Sequence, residues 1–173
     1  MKVALAFDCF GTVFDMTTFD RELIRDYVNH VRTKPTELYV FPQPWWEIKA
    51  HADSAVGIKK LQEAGICCFA ASNGSVQLID SISVAAGIVW NGITDFAKHG
   101  FYKPDVRAYT AITSQFNLVA KDVCMVTANR DFGDVEGAKA NGMMSQVIRQ
   151  DQVFPTLEAF ADFVIAAGGC NFL

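Results

Sequence analysis

Phe7-Asp8-Cys9-Phe10-Gly11-Thr12-Val13-Phe14-Asp15 is the stretch whose reading decides the fold. Ahead of it an apolar run, Val3-Ala4-Leu5-Ala6-Phe7, stops at a carboxylate. A short run without polar alternation reads as a parallel strand buried on both faces. Gly11 lets the chain turn sharply after it, and a small hydroxyl residue, Thr12, follows. In open α/β sheets ligands bind just beyond the carboxyl ends of the strands. Asp8 therefore stands where such a fold does its chemistry. Taken alone, the stretch also reads, less strongly, as a strand followed by a loop with a capping aspartate. The remainder of the chain weighs against that plainer reading.

Further strand-like runs fall at 66–71, 123–127 and 145–148, with a short one at 88–90. Polar groups wait at the ends of the strands: Ser72 and Asn73, Lys103, and the cluster Asn129, Asp131 and Asp134. Helical patterns alternate with the strands. A segment over 56–64 stops at Gly65. Ser75 caps a helix with Val76, Ile79 and Ile82 on one face, and Asp105 caps another carrying Val106, Tyr109, Ile112 and Phe116. A helix over 134–141 ends at Gly142, and Pro155 opens the last one. This order predicts an α/β fold, a three-layer doubly wound parallel sheet with the first strand near its centre.

Only the interval after the opening motif breaks the pattern. It holds one amphipathic helix over 20–32 and then the aromatic, proline-rich run Tyr39-Val40-Phe41-Pro42-Gln43-Pro44-Trp45-Trp46. The expected organisation is a core built from residues 1–14 and 50–173, with residues 15–49 as a short insert.

The chain has 173 residues, 51% of them hydrophobic, enough for one core with a small insert. A net charge of −4 argues against general nucleic-acid affinity. No apolar run reaches membrane-spanning length. No signal peptide precedes the first strand, so a cytoplasmic protein is expected. The five cysteines, Cys9, Cys67, Cys68, Cys124 and Cys170, show no C-x-x-C spacing and read as reduced thiols. Cys9 adjoins Asp8, yet strand alternation points it to the opposite face. His30, His51 and His99 have no ligand spacing.

Together these motifs resemble the haloacid dehalogenase superfamily, over about residues 1–15 and 50–150. That family carries an Asp nucleophile in a D-x-x-x-[TV] motif, then a Ser or Thr, a Lys and a carboxylate-bearing loop. Asp8 with Thr12, Ser72 in Ala70-Ala71-Ser72-Asn73-Gly74, Lys103 in Tyr102-Lys103-Pro104-Asp105, and the loop before Gly137-Ala138-Lys139 match in that order. The resemblance implies a Rossmann-like core whose insert is a reduced cap, and a hydrolase with a covalent aspartyl intermediate. Asp8 would attack, Lys103 would offset charge, Ser72, Asn73 and Thr12 would hold the substrate anion, and Asp134 with either Asn129 or Asp131 would serve the hydrolytic water; the spacing leaves open which of those two does so. Phosphatases of the family instead bind Mg²⁺ through this loop, here with Asp8, Asp131 and Asp134. Family phosphatases also place a second Asp two residues after the nucleophile, as a general acid/base. Phe10 fills that position, so the motif is closer to the 2-haloacid dehalogenases, which need no cofactor and whose leaving halide needs no proton.

The resemblance thus implies a small-molecule haloacid-type substrate. The alternatives are an Mg²⁺-dependent phosphatase and a weakly catalytic binding module. Family dehalogenases also use an arginine from the cap, and neither Arg21, Arg25 nor Arg32 aligns with it. With so short an insert, Tyr39, Phe41, Trp45 and Trp46 are expected to be exposed and to need cover, for which a homodimer is one solution.

Overall fold

Residues 3–34, 37–150 and 152–168 are described by the computed structural model; Cys170 lies outside them. In chain order the strands are β1 (Ala4–Phe7), β2 (Cys67–Ala70), β3 (Gly92–Ile93), β4 (Val123–Thr127) and β5 (Met144–Val147). The helices are α1 (Arg21–Thr33), α2 (Ser54–Glu63), α3 (Val76–Ala85), α4 (Phe96–His99), α5 (Val106–Gln115), α6 (Asp134–Ala140) and α7 (Leu157–Ala166). All strand pairs are parallel, in the order β3-β2-β1-β4-β5, so β1 is central. Phe7 lies opposite both Ala70 and Val126, which brings the ends of β1, β2 and β4 to one level.

Strand alternation divides the core in two. Leu5, Phe7 and Cys9 belong to one face, packed with Ile58 and Leu61 of α2, Leu78, Ile79 and Ile82 of α3, and Leu157, Phe160 and Val164 of α7. Ala4 and Ala6 belong to the other, with Phe96 of α4, Ala108, Tyr109 and Ile112 of α5 and Ala138 of α6. Asp8 shares the parity of Ala4 and Ala6 and so leans toward α5 and α6. Cys9 is fully buried on the opposite side, and burial pushes its thiol up, which keeps it protonated and inert.

Helix starts follow the expected chemistry. The Asp20 carboxylate accepts the Glu22 and Leu23 N–H groups, the Ser75 hydroxyl accepts Leu78 N–H at 3.2 Å, and Asp105 accepts Arg107 N–H at 2.9 Å. The run at 88–90 is not a strand. Ile88 N–H returns to the Ser83 carbonyl at 2.8 Å, closing α3, and hydrogen bonding to β2 starts at Asn91, whose N–H donates to Cys68 O at 2.9 Å just ahead of β3.

The aromatic insert also differs from expectation. Phe41 and Trp45 are buried, and with Phe10, Phe19, Tyr27 and Tyr39 they form a cluster of edge-on and tilted rings spaced 4.7–6.3 Å apart. Of the four residues expected to be exposed, only Trp46 is. The insert covers its aromatics by folding back onto α1 and the loop after β1, so they call for no second copy. Among the described residues no helix is long and apolar enough to cross a membrane.

Candidate active site

Asp8 continues the β1 ladder by one residue, its N–H donating to Val126 O at 2.9 Å. The chain then turns through Gly11, at φ +84°, with Asn129 packed against it: a Cβ there would meet Asn129 Oδ1 at 3.4 Å. Each oxygen of the Asp8 carboxylate has its own partners. Oδ2 accepts the Thr12 hydroxyl at 2.9 Å and the Asn129 amide at 2.7 Å. Among the described residues Oδ1 accepts only Lys103 Nζ, at 3.0 Å. Both donors to Oδ2 are fixed in turn. Thr12 Oγ1 accepts Ala128 N–H at 2.7 Å, and Asn129 Nδ2 also reaches Phe10 O at 2.9 Å.

Lys103 comes from the loop before α5 and is 1% exposed. Its ammonium bridges two carboxylates, Asp8 and, at 3.1 Å, Asp134 Oδ2 at the start of α6. Asn73, just past β2, holds the lysine backbone from both sides, donating to Lys103 O at 2.7 Å and accepting Lys103 N–H at 2.8 Å. Tyr109 OH donates to Asp134 Oδ1 at 2.8 Å. Gly137 makes room for this: a Cβ there would collide with the Tyr109 ring.

Burial raises the Asp8 pKa above the ordinary aspartate value, and the Asp134 charge adds to the shift, against the lowering effects of Lys103 and Thr12. Lys103 moves upward as well. Burial alone would lower it, but the carboxylates of Asp134 and Asp8 outweigh burial and hold the ammonium charged.

A cavity of about 230 Å³ opens over Asp8. Its floor holds Asp8, Asn73, Lys103 and Asn129, and its walls are mainly apolar: Phe10, Met16, Ile24, Tyr27, Val28, Trp45 and Phe132. α1 and the 3-10 turn Gln43–Glu47 supply Ile24, Tyr27, Val28 and Trp45.

Six of the expected positions thus converge: Asp8, Phe10, Asn73, Lys103 and Asn129 line the cavity, and Thr12 supports Asp8 from behind. Asp134 joins them through Lys103. Ser72 is buried but does not line the cavity; its hydroxyl accepts Gly74 N–H at 3.3 Å. Asp131 is exposed on the 3-10 turn Arg130–Phe132 and does not line the cavity. The loop therefore presents Asn129 to Asp8 and turns Asp131 outward. Arg21, Arg25 and Arg32 lie on exposed positions of α1, and the cavity wall includes no arginine.

Three groups escaped sequence reading. Arg149, at φ +67°, donates from Nε to Thr12 O at 2.6 Å and forks onto both Asp53 oxygens at 3.1 Å. Ser54 Oγ donates to Val13 O at 2.8 Å, and His51 Nε2 lies 3.3 Å from Gly11 O, so the successive carbonyls of Gly11, Thr12 and Val13 are each contacted from outside the loop. The Asp53-Ser54 pair ahead of a helical pattern was the available signal, but it reads only as a cap. Tyr109 fits its helix as an apolar position, yet its hydroxyl donates to Asp134; Tyr27 fits the apolar stripe of the amphipathic helix over 20–32 and lines the cavity.

The five-stranded parallel sheet with β1 central is a fold the chain shares with solved L-2-haloacid dehalogenases. No protein-family model matches the chain, and no curated protein matches it in sequence. Solved structures match it in shape. An L-2-haloacid dehalogenase from Xanthobacter autotrophicus, with chloropropionic acid covalently bound, aligns at a TM-score of 0.67 and 20% identity over 96% of this chain and 83% of that one. A defluorinating L-2-haloacid dehalogenase aligns at 0.71 and 20%, over 93% and 94%. CbbY from Rhodobacter sphaeroides, in complex with phosphate, aligns at 0.66 and 15%, over 91% and 96%.

Proposed function

We propose that the chain is a hydrolase acting through a covalent aspartyl ester on Asp8, cleaving a carbon–halogen bond in a small substrate of the 2-haloacid type. The observation that carries this reading is the unequal hydrogen bonding of the two Asp8 oxygens. Oδ2 accepts two donors, while Oδ1 accepts only Lys103 and keeps a lone pair for attack. Oδ1 attacks the halogen-bearing carbon, and the halide leaves with the bonding electrons. Oδ2 is then the ester carbonyl oxygen. When water adds to Cγ, the charge developing on Oδ2 meets the Thr12 hydroxyl and the Asn129 amide, already aimed at it. The substrate oxygen departs as the alcohol, taking one water proton. The other proton goes to solvent, and Asp8 returns as a carboxylate.

Lys103 neutralises the charge brought together by Asp8 and Asp134, and Asn73 positions it. Residues 15–49 act as the cap, excluding water from the apolar walls.

A Mg²⁺-phosphatase reading fits less well. A hard cation needs several oxygen ligands, but Lys103 Nζ bridges Asp8 and Asp134, and Asp131 is turned out to solvent. Among the described residues no three His, Cys, Asp or Glu side chains form a metal-binding group. Phe10 also removes an acid/base group worth about 10²–10⁴-fold in rate.

The test measures chloride release from 2-chloropropionate and phosphate release from p-nitrophenyl phosphate, each with and without Mg²⁺. Chloride release that is indifferent to Mg²⁺ is expected. Mg²⁺-dependent phosphate release without chloride release overturns the reading.

A further inference from the structure

The loop after Asp8 is tied to a segment far away in the chain. Within the loop, Cys9 O accepts the N–H groups of Thr12, Val13 and Phe14. The carbonyls of Thr12 and Val13 find their partners elsewhere. Val13 O accepts His51 N–H at 3.0 Å and the Ser54 hydroxyl at 2.8 Å. Thr12 O accepts a charged donor, Arg149 Nε, at 2.6 Å. Arg149 comes just after β5, and its side chain reaches past the end of β4 to the loop of β1. The guanidinium is itself held. It forks onto both Asp53 oxygens at 3.1 Å and donates to Ser54 Oγ at 3.2 Å. Asp53 Oδ2 also accepts Leu157 N–H at 2.6 Å and Glu158 N–H at 3.3 Å, at the start of α7. Burial would raise the Asp53 pKa, but Arg149 and the Leu157 N–H outweigh it and keep the carboxylate charged. Arg149 sits at φ +67°, a conformation that costs free energy in a residue other than glycine and persists where its surroundings enforce it.

Thr12 is the residue through which this brace meets the chemistry. Its hydroxyl donates to Asp8 Oδ2 at 2.9 Å and accepts Ala128 N–H at 2.7 Å. A β-branched side chain is stiff at χ1, so the direction of the hydroxyl follows the backbone that carries it. Arg149 grips that backbone at the Thr12 carbonyl. We propose that Arg149 is a positioning residue for the nucleophile: gripped by Asp53, it holds the Thr12 carbonyl and thereby aims the Thr12 hydroxyl at Asp8 Oδ2. The catalytic consequence rests on the aspartyl-ester reading. Oδ2 becomes the ester carbonyl oxygen, and a donor aimed at it beforehand stabilises the charge that develops when water adds. A loosened loop keeps the donor but loses its aim.

Carboxyl-carbon NMR of protein labelled at its aspartate side chains follows the Asp8 titration without turnover, the signal being the one lost in Asp8→Asn. Wild type, Arg149→Lys, Thr12→Val and the double variant are compared. Lysine keeps the positive charge but lacks the planar fork. Lys103 and Asp134, the charged groups facing Asp8, are untouched. Burial raises the Asp8 pKa, and the Thr12 hydrogen bond is among the groups that lower it. Arg149→Lys therefore raises it, by less than Thr12→Val does. The double variant shows the Thr12→Val shift alone, because Arg149 acts through a hydroxyl that is gone. With 2-chloropropionate, Arg149→Lys lowers kcat about 10-fold and leaves KM nearly unchanged. Should Arg149→Lys fail to fold, Asp53→Asn, which loosens the guanidinium without removing it, takes its place in the same cycle. The proposal is overturned if the Asp8 titration stays where the wild type has it, or if the two shifts add in the double variant, as general loosening of the fold would make them. Chloride release with an additive cycle removes the positioning role and spares the aspartyl-ester reading. A coupled cycle in a protein that releases no chloride keeps the positioning role and removes that reading.

Discussion

Replacing Lys103 with methionine isolates the interaction on which the site is built. The ammonium lies 3.0 Å from Asp8 and 3.1 Å from Asp134, and all three side chains are buried. Methionine keeps the length and apolar stem of the side chain but leaves two carboxylates facing each other with no counter-ion. Removing one partner of a buried ion pair costs about 3–5 kcal/mol, and that is the loss expected at neutral pH. The loss depends on pH in a definite direction. Asp8 is already raised above its ordinary value, and Lys103 is one of the groups holding it down, so Lys103→Met raises it further. A carboxyl raised in the folded state contributes stability that is present below its unfolded pKa and lost as pH rises through the folded one. The variant therefore recovers stability relative to the wild type as pH falls. Urea denaturation of both proteins across neutral and acidic pH measures the difference. A loss under about 1 kcal/mol at neutral pH, the range of an exposed pair, or a loss that does not vary with pH, refutes the argument.

Two further outcomes follow from the same geometry. Attack needs the ionised form of Asp8, so the acidic limb of kcat/KM lies above the ordinary aspartate value; Asp134→Asn moves it down and Thr12→Val moves it up, opposite shifts that a pH–rate profile separates. Arg149→Ala frees the Thr12 carbonyl and removes the cation beside Asp53, which keeps the Leu157 and Glu158 N–H groups, with a loss of about 1.5–3 kcal/mol in urea denaturation.

Residues with a strong local signature were legible. The unalternated run ending at Asp8 indicated a central buried strand, and the cap residues Ser75 and Asp105 marked their helix starts. Lys103 and Asp134 came from the order of the motifs, which a resemblance supplies and periodicity does not. Between Asn129 and Asp131 the chain offered no choice. In space Asn129 packs against Gly11 with its amide on Asp8, while Asp131 is exposed. Arg149 was illegible because its role spans 137 residues to Thr12, and nothing local marks an arginine in the left-handed region. The aromatic run was misread for a related reason. Sequence gives the hydrophobicity of Phe41 and Trp45, but whether α1 lies close enough to bury them depends on how the loop returns. Tyr27 and Tyr109 fit their helical stripes as apolar positions, and a stripe is silent about where a hydroxyl points.

A single turnover on a 2-haloacid in heavy-oxygen water, followed by mass spectrometry of the peptide carrying Asp8, tests the central claim most directly. If water attacks an ester on Asp8, the heavy oxygen enters the Asp8 carboxylate and the product hydroxyl carries the enzyme's ordinary oxygen. Heavy oxygen in the product, with an unlabelled Asp8, would mean that water attacks the substrate itself, and would contradict Asp8 as the nucleophile.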